Sequence, residues 1–309
     1  MKKFKRIGFV FFAIFLVFVC SNCFLFTEKY HENLLIDGKI GSGSGEIRWE
    51  TIDYLPTGPT SFGVNNRGEI FILDYLNHRV VKFDSKGNYI DEILQGAHQI
   101  LMDIAFDSKD NIYIEYASGD VSIYDRGLVF IRTLDLKPNV PPIMPKMTHL
   151  EATDSSTILL VDPDRDQVNQ IIEVDTIGNI VQTRNNLKGY IETRGMYYVN
   201  SKSSGDLILY KDENDKPIFP LKKLNAGNET ARVIGVDSLR NVYFLIPLEN
   251  SMNDRVVKVN HRGWRRADFE IRTSPGHADV CRSVRVSPGG KVLVLDDADD
   301  RFHLWEYSP

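Results

Sequence analysis

Short stretches of alternating apolar and polar residues, separated by turns, run through most of the chain after residue 45. The segment from Ser61 to Ile93 contains four of them, predicted as strands Ser61–Val64, Glu69–Leu73, Arg79–Phe83 and Tyr89–Ile93. The turns between them are rich in Asn, Asp and Gly, which tolerate the positive φ angles of tight hairpins. No stretch shows a helical period, so the pattern predicts an all-β fold built from short strands.

The same four-strand unit recurs five times along the chain. The second strand of each unit is predicted to begin near Ile70, Ile112, Ile158, Met196, Val242 and Val292. In most units an Asp or Asn opens the turn after the third strand, where it hydrogen-bonds the backbone, and a Gly takes the left-handed position. Tyr124–Gly127 is interpreted as a version one residue shorter. Four-stranded units repeated at roughly 35 to 50 residues predict the blades of a β-propeller.

The connection between the second and third strands resembles NHL repeats, in which a strand ending in Asp is followed by Asn-His and the third strand. The first unit has it as Asp74-Tyr75-Leu76-Asn77-His78-Arg79-Val80, with looser versions at Asn253–Val256 and Asp296–Phe302. The resemblance covers residues 45–309 and implies a six-bladed β-propeller. Asp74 with Arg79, and Asp296 with Arg301, are interpreted as exposed ion pairs across hairpins, each contributing about 1 kcal/mol or less.

Closure of the propeller requires one more strand, because the last unit ends at Pro309 after its third strand. An unpaired sheet edge favours aggregation, and a closed ring removes it. Glu46–Ile52 alternates apolar and polar residues just before the first unit. We therefore predict that Glu46–Ile52 forms the outer strand of the last sheet and that residues 45–309 form the propeller. Residues 23–44, which include most of the glycine-rich stretch Gly41–Gly45, are predicted to be a flexible spacer.

The first 22 residues have the pattern of an export signal. Four basic residues, Lys2, Lys3, Lys5 and Arg6, precede the 13-residue apolar run Ile7–Val19, and Cys20 and Cys23 follow it. A cysteine at this place resembles the lipid attachment site of bacterial lipoproteins, and the loosened pattern before it resembles that of spirochaete lipoproteins. We therefore expect residues 1–22 to be a signal peptide and Cys23 to carry the lipid.

Three alternatives stay open for the N-terminus: lipid attachment at Cys20, an ordinary cleaved signal, and an uncleaved anchor. The anchor is possible because Phe24–Phe26 extends the apolar run to about 20 residues, long enough to span a membrane. Each alternative exports the rest of the chain. The leading interpretation places the protein in a bacterial cell envelope, lipid-anchored to a membrane and either periplasmic or surface-exposed.

Composition and charge narrow the choice of partner. The formal net charge of the 309-residue chain is −5, and loss of the four basic residues of the signal changes it to −9. A body this acidic repels phosphate backbones, so no nucleic-acid partner is predicted. The basic run Arg262-Gly263-Trp264-Arg265-Arg266 is accordingly interpreted as a surface hairpin. Cleavage at Cys23 leaves Cys281 as the remaining thiol, so the core must stabilise the fold without disulfides.

The first strands of a propeller line its central channel, and their polar residues are the candidate site. Alignment of the units places Asp103, His149, Glu151 and Arg285 where side chains point into the channel or its mouth. We interpret them as a hydrated, mutually ion-paired set, with a binding site or metal-assisted catalysis as alternatives. The possible metal donors come from only two neighbouring units, whereas an axial metal needs ligands from several sides. No metal, cofactor or catalytic residue is therefore predicted, and no nucleophile or phosphate-binding motif occurs.

These observations lead to the hypothesis of a non-enzymatic, membrane-anchored propeller that binds a protein or an envelope component through one face. The alternative is a metal-dependent hydrolase or lyase, lactonase-like, with its site at the mouth of the channel. Lys137–Met147 and Leu248–Asp254 are predicted as recognition loops, because binding segments concentrate in the loops of rigid scaffolds.

Overall fold

The computed structural model describes residues 27–52, 55–96, 99–136, 149–152, 157–161, 170–175, 177–185, 188–192, 195–201, 207–211, 217–220, 224, 231–248, 251, 253–273, 282–298 and 300–309. These residues form 26 β-strands and one named helical turn, the 3₁₀ turn Tyr75–Asn77. The all-β prediction is confirmed.

The strands assemble into four-stranded antiparallel sheets that follow one another along the chain. Three strands come before the first sheet: β1 (His31–Lys39), β2 (Glu50–Ile52) and β3 (Leu55–Thr57). The first sheet contains β4 (Phe62–Val64), β5 (Ile70–Asp74), β6 (Arg79–Phe83) and β7 (Tyr89–Leu94). The second sheet contains β8 (Leu101–Phe106), β9 (Ile112–Tyr116), β10 (Asp120–Tyr124) and β11 (Phe130–Asp135).

The remaining sheets repeat this arrangement. The third contains β12 (His149–Ala152), β13 (Ile158–Val161), β14 (Gln170–Val174) and β15 (Ile180–Asn185). The fourth contains β16 (Lys188–Glu192), β17 (Gly195–Ser201), β18 (Leu207–Lys211) and β19 (Pro217–Pro220). The fifth contains β20 (Arg232–Val236), β21 (Val242–Pro247), β22 (Asn253–Val259) and β23 (Arg265–Arg272). The sixth contains β24 (Val284–Val286), β25 (Val292–Ala298), β26 (Arg301–Ser308) and β1.

The first strands of these sheets contact one another in a closed ring, in the order β4, β8, β12, β16, β20, β24 and back to β4. The hydrophobic core lies between neighbouring sheets: Phe71 and Leu73 of β5, for example, pack in one cluster with Ile112 and Ile114 of β9. Sheets packed face to face around a ring of inner strands form a β-propeller, so the propeller class is confirmed.

The prediction that Glu46–Ile52 closes the propeller is wrong, because β1 occupies that place. β1 pairs with β26 over its whole length, from His31 opposite Ser308 to Lys39 opposite Arg301. Residues 31–39 are therefore part of the folded body and not of a flexible spacer. Ile36 of β1 is buried in the cluster between the first and sixth sheets, which fixes the face that this strand turns inward.

Residues 40–52 instead cross from the outer edge of the sixth sheet to the inner edge of the first. Ile47 and Trp49 are buried in the cluster between these sheets, and β2 pairs only with β3. The glycine-rich stretch is held by Arg79, whose Nη2 donates hydrogen bonds to the carbonyl oxygens of Gly43 (3.0 Å) and Glu46 (2.8 Å). This stretch is therefore an anchored crossover and not a spacer.

Arg79 and Asp74, predicted to form an exposed pair, are both buried. Arg79 Nε donates to Asp74 Oδ2 at 3.0 Å, and Asn77 Nδ2 donates to the same oxygen at 2.8 Å and to the Gly41 carbonyl at 2.9 Å. In the first sheet, the side chains of Asp74, Asn77 and Arg79 thus hold the crossover segment. In the sixth sheet Arg301 pairs with Asp37 of β1.

The turns confirm the predicted role of their leading Asp or Asn. In each of the turns that begin at Asp84, Asp125, Asp175 and Asn260, one side-chain oxygen accepts the backbone N–H groups two and four residues later. Glycine takes the positive φ in three of them. The turn at Asp125 is not shorter, however, because Leu128 adopts a φ of 67° where the others have glycine.

Candidate functional site

Asp103 lies at the centre of a polar cluster on the inner strands. It is fully buried in β8, and its carboxylate accepts hydrogen bonds from residues of three other sheets or their leading segments. Oδ1 accepts from Ser61 Oγ and from Arg285 Nη2, both at 2.6 Å, and Oδ2 accepts from the Leu150 backbone N–H at 2.8 Å. Asp103 therefore links the first, second, third and sixth sheets around the ring.

Arg285 of β24 is the main cationic member of this cluster. Besides Asp103, its guanidinium donates to the carbonyl oxygens of Phe62 (Nε, 2.8 Å) and Ile104 (Nη2, 3.2 Å). Its side chain is only 8% exposed, and this set of acceptors replaces the water that burial removes. The guanidinium thus holds the sixth sheet to the first and second.

Glu151 of β12 and Arg282 complete the cluster. Arg282 Nη1 donates to Glu151 Oε1 at 2.5 Å and lies 3.6 Å from Asp103 Oδ2, while Arg285 Nη1 lies 3.7 Å from Glu151 Oε1. Two carboxylates therefore face two guanidiniums, and the charges balance. A divalent metal here would have to displace guanidiniums from both acids, and no group of three or more His, Cys, Asp or Glu suited to a metal occurs among the described residues.

The structure brings together three of the four residues chosen from the sequence: Asp103, Glu151 and Arg285. His149 begins β12 opposite Val161, but its side chain lies outside the described residues. Arg282 and Ser61 were not among the chosen residues. Ser61 occupies the same alignment column as Asp103 and His149, so the unit alignment could have identified it. Arg282 precedes β24 and joins Ser61 through an isolated parallel bridge, for which the repeat pattern carries no signal.

The connections between strands differ sharply between the two ends of the propeller. Neighbouring strands of a sheet run in opposite directions. The connections between the first and second strands and between the third and fourth strands therefore lie at one end of the propeller, which we name the turn end. They contain five residues each, except between β16 and β17. The other connections join strand ends at the opposite end, named the loop end, and the longest of them, 136–148, has 13 residues. The predicted recognition loop Lys137–Met147 lies outside the described residues. Of the predicted loop Leu248–Asp254, Leu248 and Ser251 are described between β21 and β22 at the loop end, and Asn253 and Asp254 already belong to β22.

The Asp103 cluster lies toward the loop end of the inner strands. Ser61 directly precedes β4, Arg282 lies two residues before β24, and Leu150 is the second residue of β12. Each inner strand begins where the preceding sheet's connection arrives, so these residues lie at the loop-end mouth of the axis. The cluster forms a rigid, charge-balanced floor to this mouth.

A second polar cluster fixes the chain just before β1. Lys258 Nζ donates to Glu28 Oε2 at 2.7 Å, and the Tyr30 hydroxyl donates to the Gly290 carbonyl at 2.8 Å. The Tyr30 ring stacks on Phe269 with centroids 4.1 Å apart. Burial raises the pKa of Tyr30. Burial opposes the charge of Lys258, but the hydrogen bond to Glu28 and the neighbouring Tyr30 and Asp237 raise its pKa above the ordinary value.

The predicted signal peptide and the predicted lipid attachment site Cys23 lie outside the described residues, as does Cys20. Within the described part of the chain, no helix has the length and apolar character required to cross a membrane.

Comparison with protein-family models and with curated proteins finds no match. Among solved structures, the chain is similar to a luciferin-regenerating enzyme (12% identity, TM-score 0.49), with 89% of this chain and 95% of that one covered. It is also similar to the C-terminal WD40 domain of Sif2 (8% identity, TM-score 0.47), with 91% of this chain and 99% of that one covered. Virginiamycin B lyase from Staphylococcus aureus is a third similar structure (11% identity, TM-score 0.43), with 89% of this chain and 87% of that one covered.

Proposed function

We propose that this protein is an exported, lipid-anchored, six-bladed propeller of the NHL type that binds a protein or an envelope component at its loop end. The observation that carries the proposal is the asymmetry of the two ends. All connections longer than five residues between strands of the six sheets join strand ends at the loop end. A rigid scaffold with variable loops at one end is the usual form of a binding module.

The central cluster favours binding over catalysis. Asp103 is fully buried, and both Asp103 and Glu151 are paired with guanidiniums that also hold neighbouring sheets together. A general acid or base needs access to substrate and a proton that it can exchange. Asp103 instead accepts three close hydrogen bonds that maintain the ring, which is a structural role.

The six-bladed, NHL-type assignment is supported by the closed ring of inner strands and by the contacts of Asp74, Asn77 and Arg79. Export and lipid attachment at Cys23 are supported by the sequence of residues 1–23. Incorporation of radiolabelled palmitate in the wild type and its loss in Cys23→Ser would support the anchor. Retention of the label in Cys23→Ser would move the attachment to Cys20 or another site.

Binding at the loop end is tested by capture from the native envelope after chemical cross-linking. Replacing Lys137–Met147 by a Gly-Ser segment of equal length should abolish a specific cross-linked product. The matched control replaces Glu213 and Asn214 of the turn-end connection 212–216 by Gly and Ser, and should leave the product unchanged. Loss in both variants, or in neither, would contradict recognition at the loop end.

The metal-dependent hydrolase or lyase remains the competing function, since two carboxylates lie at the mouth of the axis. Elemental analysis of the purified protein, combined with a screen of lactone and ester substrates, separates the two. We expect no stoichiometric metal and no turnover. A bound metal together with turnover that is lost in Glu151→Gln would overturn the binding proposal.

A further inference from the structure

Large apolar side chains are exposed mainly at the turn end. Most of those in the described residues lie in a five-residue turn of this end or within two residues of one: Tyr89, Ile90, Val129, Phe130, Ile131, Ile177, Ile180, Val181, Leu239 and Trp264. Exposed apolar groups scattered singly need no explanation, but this concentration at one end of the molecule does.

The tips of the same turns also carry exposed basic side chains: Lys86, Lys109, Arg126, Arg240 and Arg262. Among the described turns, the acids are at least partly buried, and Asp84, Asp107, Asp125 and Asp237 direct an oxygen to the backbone of their own turn. The turn end therefore presents cations and apolar groups on a protein whose net charge is negative. The connection 212–216 of the fourth sheet is acidic in sequence, so we place the surface on the other sheets.

The N-terminal segment reaches this surface directly. The Glu28 backbone N–H donates to the Arg266 carbonyl at 2.7 Å, two residues from Trp264, and Glu28 Oε1 lies 3.6 Å from Arg266 Nε. Phe24–Phe26 directly precedes the described residues, and Cys23 precedes that apolar triplet. Four residues extend over at most about 14 Å. An anchor at Cys23 would therefore hold the basic, aromatic turn close to the bilayer.

We propose that the turn end rests on an anionic phospholipid bilayer, with Trp264 at the lipid–water interface. This inference depends on the proposed membrane anchor. Tryptophan prefers the interfacial region, and exposed Lys and Arg are attracted to anionic headgroups. This orientation leaves the loop end facing away from the membrane.

Fluorescence quenching of the full chain in liposomes tests this orientation. The protein has three tryptophans: Trp49 is buried, Trp305 is half-buried under Arg272, and Trp264 is 50% exposed. The protein is reconstituted in phosphatidylcholine–phosphatidylglycerol liposomes that contain nitroxide-labelled lipid. We expect strong quenching of the wild type and loss of most of the quenching in Trp264→Phe. Quenching should weaken in Arg262→Glu and in liposomes of phosphatidylcholine alone.

The matched control moves the exposed tryptophan to the other end. Leu94, 73% exposed, ends β7 at the loop end, so Trp264→Phe/Leu94→Trp should float with the liposomes without recovering the quenching. Equal quenching of Trp264→Phe and the wild type, or recovery in the double variant, would overturn the orientation alone. Failure of all variants to float with liposomes would overturn the membrane anchor, and this inference with it.

Discussion

The closing strand gives the sharpest test of the fold, through Gly38. This residue lies in β1 directly opposite Phe302 of β26, and a Cβ at Gly38 would lie 2.0 Å from Cε1 and 2.1 Å from Cζ of the Phe302 ring. The ring is fully buried between the first and sixth sheets, so it has little room to move. Glycine is therefore required here for the two strands to pair in this register.

The cost of Gly38→Ala follows from that distance. Normal carbon–carbon contact is near 3.5–4.0 Å, so the ring or the strand must shift by more than about 1 Å. Overpacking of this kind costs about 1–3 kcal/mol of unfolding free energy. Alanine otherwise suits a strand interior better than glycine by about 0.5–1 kcal/mol, so without the ring the substitution should be neutral or stabilising.

Urea unfolding in mild detergent measures this effect as a double-mutant cycle. Phe302→Leu removes the two nearest ring atoms, and in that background Gly38→Ala should lose most of its cost, giving a coupling of about 1–2 kcal/mol. Gly96→Ala is the matched control, because its Cβ meets only Gln99 Oε1 at 3.9 Å. Equal cost of Gly38→Ala in both backgrounds, or no cost in the wild type, would refute closure by β1 in this register.

Three further substitutions or conditions test other parts of the structure. Asp103→Asn should cost about 3–5 kcal/mol in urea unfolding, because it leaves buried guanidinium groups uncompensated, whereas the same change at the less buried Glu151 (Glu151→Gln) should cost less. Arg240 is exposed and has a φ of 62°, a backbone conformation that strains a residue with a Cβ. Arg240→Gly should therefore raise the stability by about 0.5–1 kcal/mol in thermal unfolding, and a loss of stability would contradict the presence of this strain. The pKa values of Tyr30 and Lys258 are both raised in the folded protein. Their contribution to folding stability is therefore fully present below the pKa values of the unfolded chain, and it is lost as the pH rises through the pKa values of the folded state. The melting temperature should therefore fall above about pH 10, and less steeply in Lys258→Met; an unchanged slope would count against this contact.

Periodicity was sufficient to predict most of the sheet structure. The four strands predicted in the first unit agree with β4–β7 within one residue at each end, and the predicted starts of the second strands agree equally well. These predictions succeed because hairpins are local: an Asp or Asn that caps the turn and an alternating apolar pattern are both present within a few residues. Even the fourth unit, which lacks the turn glycine, forms its four strands.

The prediction of the closing strand was wrong because the evidence for this strand is not local. β1 pairs with residues about 270 positions away, and Gly41–Gly45 between β1 and the first unit has the composition of a linker. Its glycines serve close packing instead: Cβ atoms at Gly41 and Gly43 would lie within 3 Å of the Glu46 carboxylate. The candidate site shows the same limit, since the alignment found Asp103, which lies in a strand, but not Arg282, which precedes one.

A signal for β1 was nevertheless present in the arginines at or near the start of the third strands. Arg79 pairs with Glu92 and Arg255 with Asp268, and each acid lies two positions before the residue that pairs with the arginine in the fourth strand. Arg301 lies opposite Lys39 in the register of β26 and β1. The same rule therefore selects Asp37, two positions before Lys39, and Asp37 forms the ion pair with Arg301 in the structure. The rejected segment Glu46–Ile52 also contains acids, Glu46 and Glu50, which are its first and fifth residues. Sequence alone does not choose between these acids, because the register is set by burial of Ile36 and by the space that Gly38 leaves for Phe302. The outer strand of a closed propeller is therefore identified by packing against a distant sheet, and the charge pattern then agrees with it.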